Sequence, residues 1–505
     1  MCVIVISDNS PSSPSVPYFA GLISLWSALF LEHYKREEKS VAMRWGMVGF
    51  EEEEVDRPQF QGEPALSPVT GKPSLYFNPL SRLYRSLLSQ CVVSVLVLVV
   101  IAVVAVIFAI QISIRAAGFT VAGADMSGVI ASILLALQIQ FLNGYFGEIA
   151  LQLTNNENHR TDTHYEDSLI AKTFAFQFVN SFASLFYIAF VKPFIPTIDA
   201  CGAQGGCMGD LQTTLSTIFI TRLVVGNLTE LGVPLLKGML ERGERKQAGA
   251  ADHAHKPQEP LGHAASSSVD RGGGMEMSIM GSTELGGLPQ SYRELLRTEI
   301  SLVEKEFSLP EYHVMLGPFE DFAEMCIQFG YTTLFVAAFP LATVLSFVNN
   351  YVEIRVDAYK LCHLMRRPEP RSAEDIGTWY AILEVISLCS VLVNSALVAF
   401  TSSNCVNLTW ASRVWVFLLM SFGLLCIRLL VGYLVPDLPE EVSIQLHRQE
   451  YMQRTRSSSS SSRHRGWNLC QIRVWWACPQ ALMHWRQMCC SCSSSHSRAI
   501  SRCIG

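Results

Sequence analysis

The sequence predicts an all-α polytopic membrane protein with about nine transmembrane helices. Three observations carry this expectation. Hydrophobic residues make up 50% of the 505 and charged residues only 16%, a balance of membrane proteins and not of soluble domains. Apolar runs long enough to cross most of a bilayer recur along the chain, separated by polar loops. Lys and Arg gather in alternate loops, as the positive-inside rule requires. The net charge of −6 gives no reason to expect nucleic acid as a partner. Cysteines are numerous, but Cys91, Cys326, Cys389 and Cys426 sit inside apolar runs and do not suggest a disulfide scaffold. Met1 to Val16 lacks the basic start and apolar core of a cleavable signal peptide.

Taken in order, Pro17–Tyr34 is an apolar span that runs into E-H-Y-K-R-E-E-K. A polar stretch with the acid run Glu51–Glu54 leads to Leu88–Ile112, which is rich in Val, Ile and Leu. Met126–Ala150 is a span interrupted by Gln138, Gln140 and Asn143. Ser168–Phe190 and Leu211–Leu231 follow. A hydrophilic segment from Lys237 to Glu311, rich in Gly, Ser, Ala and His at its middle, reads as a disordered linker. Next come a hairpin within Pro318–Arg367, then Trp379–Phe400 and Val414–Val435, and a polar tail with a serine run. The basic loops, at Lys35-Arg36, Lys237 to Lys246, Arg366-Arg367-Arg371 and the C-terminal arginines, belong on the cytosolic side. That places the C-terminus in the cytosol. Cys201 and Cys207 then lie in an outside loop, where a disulfide can persist, and Asn407-Leu408-Thr409 is a glycosylation sequon in another.

The hairpin carries the chemistry. Two apolar runs meet at Phe339-Pro340, and each bears two carboxylates at helical spacing. Asp321 and Glu324 are i, i+3, while Glu353 and Asp357 are i, i+4, so each pair shares a helix face. Folded at Pro340, the hairpin puts Glu324 and Asp357 at matching depth, each roughly 25 Å from the turn at ~1.5 Å per residue. Glu230, near the cytosolic end of Leu211–Leu231, falls at the same level. Acids solvated at the headgroups, or paired with Lys and Arg, are the plain alternative, and Arg355 offers one positive charge. Five acids from three helices at one depth need more than that, because an ionisable group inside the bilayer costs at least ~2.5 kcal/mol. Hard oxygen ligands in this number suit Ca²⁺.

Two spans carry polar stripes. On Ser168–Phe190 the stripe is Gln177, Asn180, Ser181, Ser184 and Tyr187, and on Leu211–Leu231 it is Thr214, Thr217 and Thr221. Such stripes either hold helices together or line a hydrophilic path. With Lys192 they form the candidate groove. Gly226, Gly232 and Pro234 around Glu230 are candidate hinge residues.

These strings resemble the anoctamin family of Ca²⁺-activated chloride channels and phospholipid scramblases. The matching stretches include R-W-G-M-V-G-F-E-E-E-E, A-L-Q-L-T-N-N-E-N-H-R-T, Y-E-D-S-L-I-A-K-T-F-A-F-Q-F-V-N-S, I-Q-F-G-Y-T-T-L-F-V-A-A-F-P-L-A and N-N-Y-V-E-I-R-V-D-A-Y-K, and run from about Pro17 to Tyr451. The resemblance implies an anoctamin-like helical bundle, a homodimer, and two Ca²⁺ held between three helices by Glu230, Asp321, Glu324, Glu353 and Asp357. It aligns Gly226 with an Asn ligand of the family, so one oxygen is missing here. It implies a further Ca²⁺ site at Glu32 and Asp437. It leaves residues 1–16 unmatched and lacks counterparts of the family's cytosolic N-terminal domain and first helix. Transmembrane helices are expected over 17–236 and 312–451, a disordered loop at 237–311, and a Ser/Cys-rich disordered tail at 452–505.

The implied activity is Ca²⁺-activated conduction of chloride or other small ions, scrambling of phospholipids along a membrane-exposed groove, or both. The membrane in question is the plasma membrane or an internal one. No nucleophile–base constellation or phosphate-binding loop suggests an enzyme. The alternative reading is a membrane tether or regulatory subunit that keeps the fold without transport.

Overall fold

The structure is a computed structural model that describes residues 10, 13–66, 71, 73–118, 120–121, 124–125, 127–196, 199, 201, 206–232, 236, 306–307 and 309–460. Nine long helices among these residues correspond to the nine apolar runs. They are α1 (Val16–Trp45), α2 (Pro79–Ala116), α3 (Ser127–Glu157), α4 (Asp162–Phe186), α5 (Gly206–Asn227), α6 (Leu316–Leu334), α7 (Ala342–Tyr359), α8 (Thr378–Ala396) and α9 (Trp410–Leu434). The only strands among the described residues form two short antiparallel pairs, Glu63–Leu66 with Pro73–Tyr76 and Thr120–Val121 with Ala124–Asp125. A further helix, α10 (Glu440–Ser460), belongs to a separate unit that begins at Leu438.

Five helices are long and apolar enough to cross a membrane: α2, α3, α4 with its continuation to Phe194, α8 with its continuation to Thr401, and α9. The protein is an integral membrane protein. The other four long helices carry charges: Glu32 and Lys35 on α1, Asp210 and Arg222 on α5, Asp321 and Glu324 on α6, and Glu353 and Asp357 on α7. On α5, α6 and α7 part of that charge belongs to residues that gather at the candidate site.

Several helices outrun their apolar cores. α2 starts at Pro79, nine residues before Leu88. Asn78 caps it, accepting a hydrogen bond from the Leu80 N–H, and Pro79 supplies a preset φ at the first turn. α1 runs on through the charged E-H-Y-K-R-E-E-K stretch, whose residues are good helix formers, and stops at Gly46, which has φ 68°. The helical α10 reaches Ser460, so the tail expected to be disordered from residue 452 is helical over its first residues.

The core sits where α4, α6 and α8 meet. Phe182, Leu185, Ile327, Leu334 and Phe335 have no exposed surface there, and Phe182 packs against Tyr331 and Phe335. The chain reverses between α6 and α7 at Phe335–Leu341, around the Pro340 anticipated from sequence. A reversal inside a core leaves backbone groups that must find partners. Asn394 of α8 supplies them, accepting from the Ala337 N–H at 3.2 Å and donating to the Thr333 carbonyl at 2.6 Å.

Candidate cation site

α5 and α7 each end in a π-helical turn, Leu228–Gly232 and Lys360–Leu364. Glu230 lies in the first and Lys360 opens the second. Turns of this kind are uncommon and frequently mark functional positions. With α6 beside them they bring together all five acids expected from sequence. Carboxylate oxygens of Glu230, Glu324 and Glu353 lie within 4.8 Å of one another, one from each helix. Asp321 and Asp357 join through Lys360, whose ammonium is 2.9 Å from Asp321 Oδ1, 2.8 Å from Asp357 Oδ1 and 3.6 Å from Glu230 Oε1.

Lys360 is only 5% exposed. The cation offered by the sequence reading, Arg355, is not part of the cluster. It stacks over the Tyr351 ring and donates to the Tyr351 carbonyl on an exposed face. The reason is helical phase: residue 355 lies two after Glu353, on the opposite side of α7, whereas 357 and 360 follow Glu353 by four and seven. Arg222 of α5 is a second cation, 3.9 Å from Glu324 Oε1.

An amide chain closes the cluster toward the core. Asn227 donates to Asn349 at 3.4 Å, and Asn349 donates to Gln328 Oε1 at 2.6 Å. Gln328 follows Glu324 by four residues and Asn349 precedes Glu353 by four, so each amide sits one turn from an acid on the same helix face. At the other edge, Tyr312 donates to Asp321 Oδ2 at 2.8 Å. Burial, and then the Asp321 carboxylate, push the Tyr312 phenol up, so it stays a donor. Gly317 makes that contact available, because a Cβ there would lie 2.4 Å from the Tyr312 ring.

The donor set fits a hard divalent cation. It is all oxygen, strongly anionic and drawn from three helices, and Glu230 Oε2 and Asn227 Oδ1 are buried without hydrogen-bond partners. Gly226 stands against the cluster, with the position of its missing Cβ 3.7 Å from Glu324 Oε1. Gly232 closes the π-helical turn that holds Glu230, and Pro234 lies outside the described residues. Glu32 and Asp437 are not drawn into any metal-competent cluster among the described residues. Asp437 instead pairs with Lys35 at 2.8 Å, and α9 passes beside Glu32 at Gly432.

The groove residues form a closed seam in this conformation. Asn180, Ser181 and Ser184 are at most 1% exposed, with Gln177 and Tyr187 half-buried beside them. Asn180 donates to Asn143 at 2.8 Å and to the Ile139 carbonyl at 3.1 Å, and also meets Gln138, all on α3. Ser132 of α3 donates to Thr214 of α5 at 3.2 Å. Thr217 donates back to the Thr213 carbonyl. Thr221 borders a small cavity of about 40 Å³ with Gln140, Asn143 and Arg222. Lys192, grouped with the groove in the sequence reading, is not in the seam. The residue is 1% exposed, and its ammonium is 3.2 Å from Asp199 and 2.9 Å from Asp210. A positive charge that far from water is held by its acids and has no room to face a path. A disulfide joins Cys201 and Cys207 next to this network.

A family model described as "Anoctamin: Calcium-activated chloride channel" matches residues 2–449, beginning well before the Pro17 boundary drawn from sequence. The chain is 30% identical over 436 residues to anoctamin-4 of Bos taurus, covering 82% of this chain and 43% of the relative. It is 33% identical over 409 residues to anoctamin-7 of Mus musculus, covering 76% and 42%. With anoctamin-3 of Homo sapiens the figures are 31%, 76% and 37%. The chain thus spans about two-fifths of the length of the curated relatives it matches. The match of the family model over nearly the whole chain, on a bundle of membrane-competent helices, establishes one thing plainly: this chain belongs to the anoctamin family.

Proposed function

We propose that this chain forms a Ca²⁺-activated transport protein that passes chloride, phospholipid headgroups or both along the seam between α3, α4 and α5. It works as a homodimer with the basic loops and C-terminus in the cytosol. The observation that carries the reading is the gathering of Glu230, Asp321, Glu324, Glu353 and Asp357 at the basic-loop end of three helices, beside a polar seam.

Glu230, Glu324 and Glu353 would hold the ion, with Asp321 and Asp357 completing the set. Bound Ca²⁺ supplies the positive charge that five carboxylates, Lys360 and Arg222 lack among themselves. The rest of the mechanism belongs to α5. Its one end carries Glu230 in a π-helical turn, and its other end is fastened to α3 through Thr214 and Ser132. A shift of the Glu230 end therefore loads the seam. Arg222 sits between the two, bordering the small cavity with Gln140 and Asn143 and also facing Glu324. The polar side chains now buried in the seam are the dipoles that a headgroup or anion would meet once α5 moves.

The test is purified protein in liposomes, with ion flux and lipid flipping measured on one sample with and without Ca²⁺. Ca²⁺-dependent transport of either kind supports the reading. Ca²⁺ binding without transport of either kind identifies a tether or regulatory subunit instead.

A further inference from the structure

We propose that Lys360 is a resident cation that occupies one of the cluster's two cation positions, so that divalent ions bind there in two unequal steps. This rests on the cation-site reading above and goes beyond it by assigning a residue that sets the site's affinity.

The five carboxylates divide into two groups. Glu230, Glu324 and Glu353 form an oxygen-lined cage with no lysine in it. Asp321, Asp357 and Glu230 Oε1 surround the Lys360 ammonium, at 2.9, 2.8 and 3.6 Å. Those separations, from three helices onto one nitrogen, are the arrangement a bound cation would have. Lys360 is 5% exposed, and its three acids are a quarter to a third exposed, so the lysine side chain is more buried than those that hold it. A surface lysine drawn to stray carboxylates would show the opposite order. Tyr312 holds Asp321 from its far side, which fixes one wall of this second position.

The consequence is competition. A divalent ion entering the Glu230–Glu324–Glu353 cage meets carboxylates whose nearest cations, Arg222 and Lys360, stand off at 3.9 Å from Glu324 and 3.6 Å from Glu230. One entering between Asp321 and Asp357 must first displace an ammonium already in contact with both, and like charges a few ångströms apart repel. Lys360 begins a π-helical turn, so its stem leaves α7 where the helical register is already altered. Withdrawal of the side chain needs no unwinding of the α-helix proper.

The experiment is calorimetric titration of Ca²⁺ into the purified full chain in detergent, comparing wild type with Lys360→Met, Lys360→Gln and Lys360→Arg. Wild type is expected to show one tight and one weak step. Neutral Lys360→Met and Lys360→Gln should tighten the weak step by about tenfold or more, because the competing charge is gone. Lys360→Arg should keep two unequal steps. In the absence of Ca²⁺ the neutral variants should melt at lower temperature than wild type, and Ca²⁺ should raise their Tm more. If Lys360→Met does not fold, the Gln and Arg pair carries the test. Equal isotherms for Gln, Arg and wild type overturn the proposal while leaving the cation site intact. Absence of Ca²⁺ binding in wild type and in every variant overturns the cation site itself.

Discussion

Among the described residues, Lys192 and Lys360 are each buried among two or more carboxylates, and they mean different things. Lys192, at the Cys201–Cys207 end of the bundle, sits with Asp199 and Asp210, and Arg115 approaches Asp199 at 3.6 Å. Among the described residues two cations face two acids there, and these charges balance. Lys360, at the opposite end, shares its surroundings with Arg222 and five acids, and the charges do not balance. A balanced buried network fixes geometry and asks nothing of the solvent. An unbalanced cluster of half-buried acids favours a further cation. The same side chain thus serves as a fastener in one place and as a partial counter-ion in the other.

The comparison breaks most visibly at Lys192. Lys192→Met leaves Asp199 and Asp210 without their shared partner, and the loss of one member of a buried pair costs about 3–5 kcal/mol. Thermal unfolding of the purified variant should show a large drop in Tm, while Ca²⁺ affinity of the folded fraction stays at the wild-type value. A shifted Ca²⁺ affinity would mean that the two ends are not independent.

Glu353→Gln and Glu324→Gln should act in the reverse sense. Each removes a charged oxygen of the proposed ligand set, so Ca²⁺ activation in liposomes should move to concentrations about tenfold higher or more, with little change in Tm. Unchanged activation curves in both would remove these residues from the site.

Gly226→Asn sharpens the comparison by adding a ligand in place of removing one. The Cβ position has ordinary contact distance, 3.7 Å from Glu324 Oε1, and the residue does not need a positive φ. The added amide oxygen should tighten Ca²⁺ binding a few-fold, as read by titration. Binding equal to or weaker than wild type would argue that Gly226 serves the helix and not the site.

Cysteine at 181 or 184 tests the seam between the two ends. Both positions are buried, so a water-soluble thiol reagent should not label them without Ca²⁺ and should label them when Ca²⁺ is present. Labelling at 182 instead would rotate α4 the other way.

A third acidic region supplies the smallest effect. A cavity of about 540 Å³ is rimmed by Glu51, Glu54, Glu166, Asp167, Glu374 and Asp375. Most of these acids have work already: Asp167 accepts from Thr378 at 3.0 Å, Glu54 from the Thr163 N–H, and Glu166 pairs with Arg371. Glu51 does not share in this. Burial, and then the Asp375 and Glu374 carboxylates, hold its carboxyl above the ordinary value. The fold therefore favours protonated Glu51, and stability falls as pH rises from the ordinary carboxylate value through the raised one. Glu51→Gln should raise Tm slightly near neutral pH, and the gain should vanish below the ordinary value. A gain that persists in acid would assign the effect to something other than charge.

Most of the helices were legible because hydropathy reports them directly, and the five acids were legible because their spacing fixes a helix face. What sequence reading missed was on those same faces. Lys360 follows Glu353 by seven residues and Asn349 precedes it by four, but a lysine at a helix end and a lone asparagine within a helix read as ordinary polar groups until a neighbouring helix covers them. Arg355 is near these acids in sequence but not in space, since it stacks over Tyr351 on an exposed face. The ends of α1 and α2 were missed because charged helix formers and an Asn-Pro cap extend a helix without adding hydropathy. Whether the polar stripe of α4 faces a path or another helix was open in sequence, since Asn180 has the same chemistry in either role. The bonds to Asn143 and the Ile139 carbonyl describe the closed arrangement.

The Asn394 contact has a mechanical meaning. By holding the Ala337 amide and the Thr333 carbonyl, it welds the top of the α6–α7 hairpin to α8. Welding one end of a hairpin turns each arm into a cantilever, and deflection then grows with distance from the weld. Glu324 and Asp321 on α6, and Glu353 and Asp357 on α7, lie far along those arms. α6 is also gripped along its length by buried Phe319, Ala323, Ile327, Tyr331 and Leu334, so it serves as the stator. α7, with exposed Phe347, Tyr351 and Ile354 along its outer side, and α5, fastened mainly at its far end, are the parts free to swing against it. Amide hydrogen exchange at Ala337 should accordingly be among the slowest in the molecule, and it should stay slow whether or not Ca²⁺ is present.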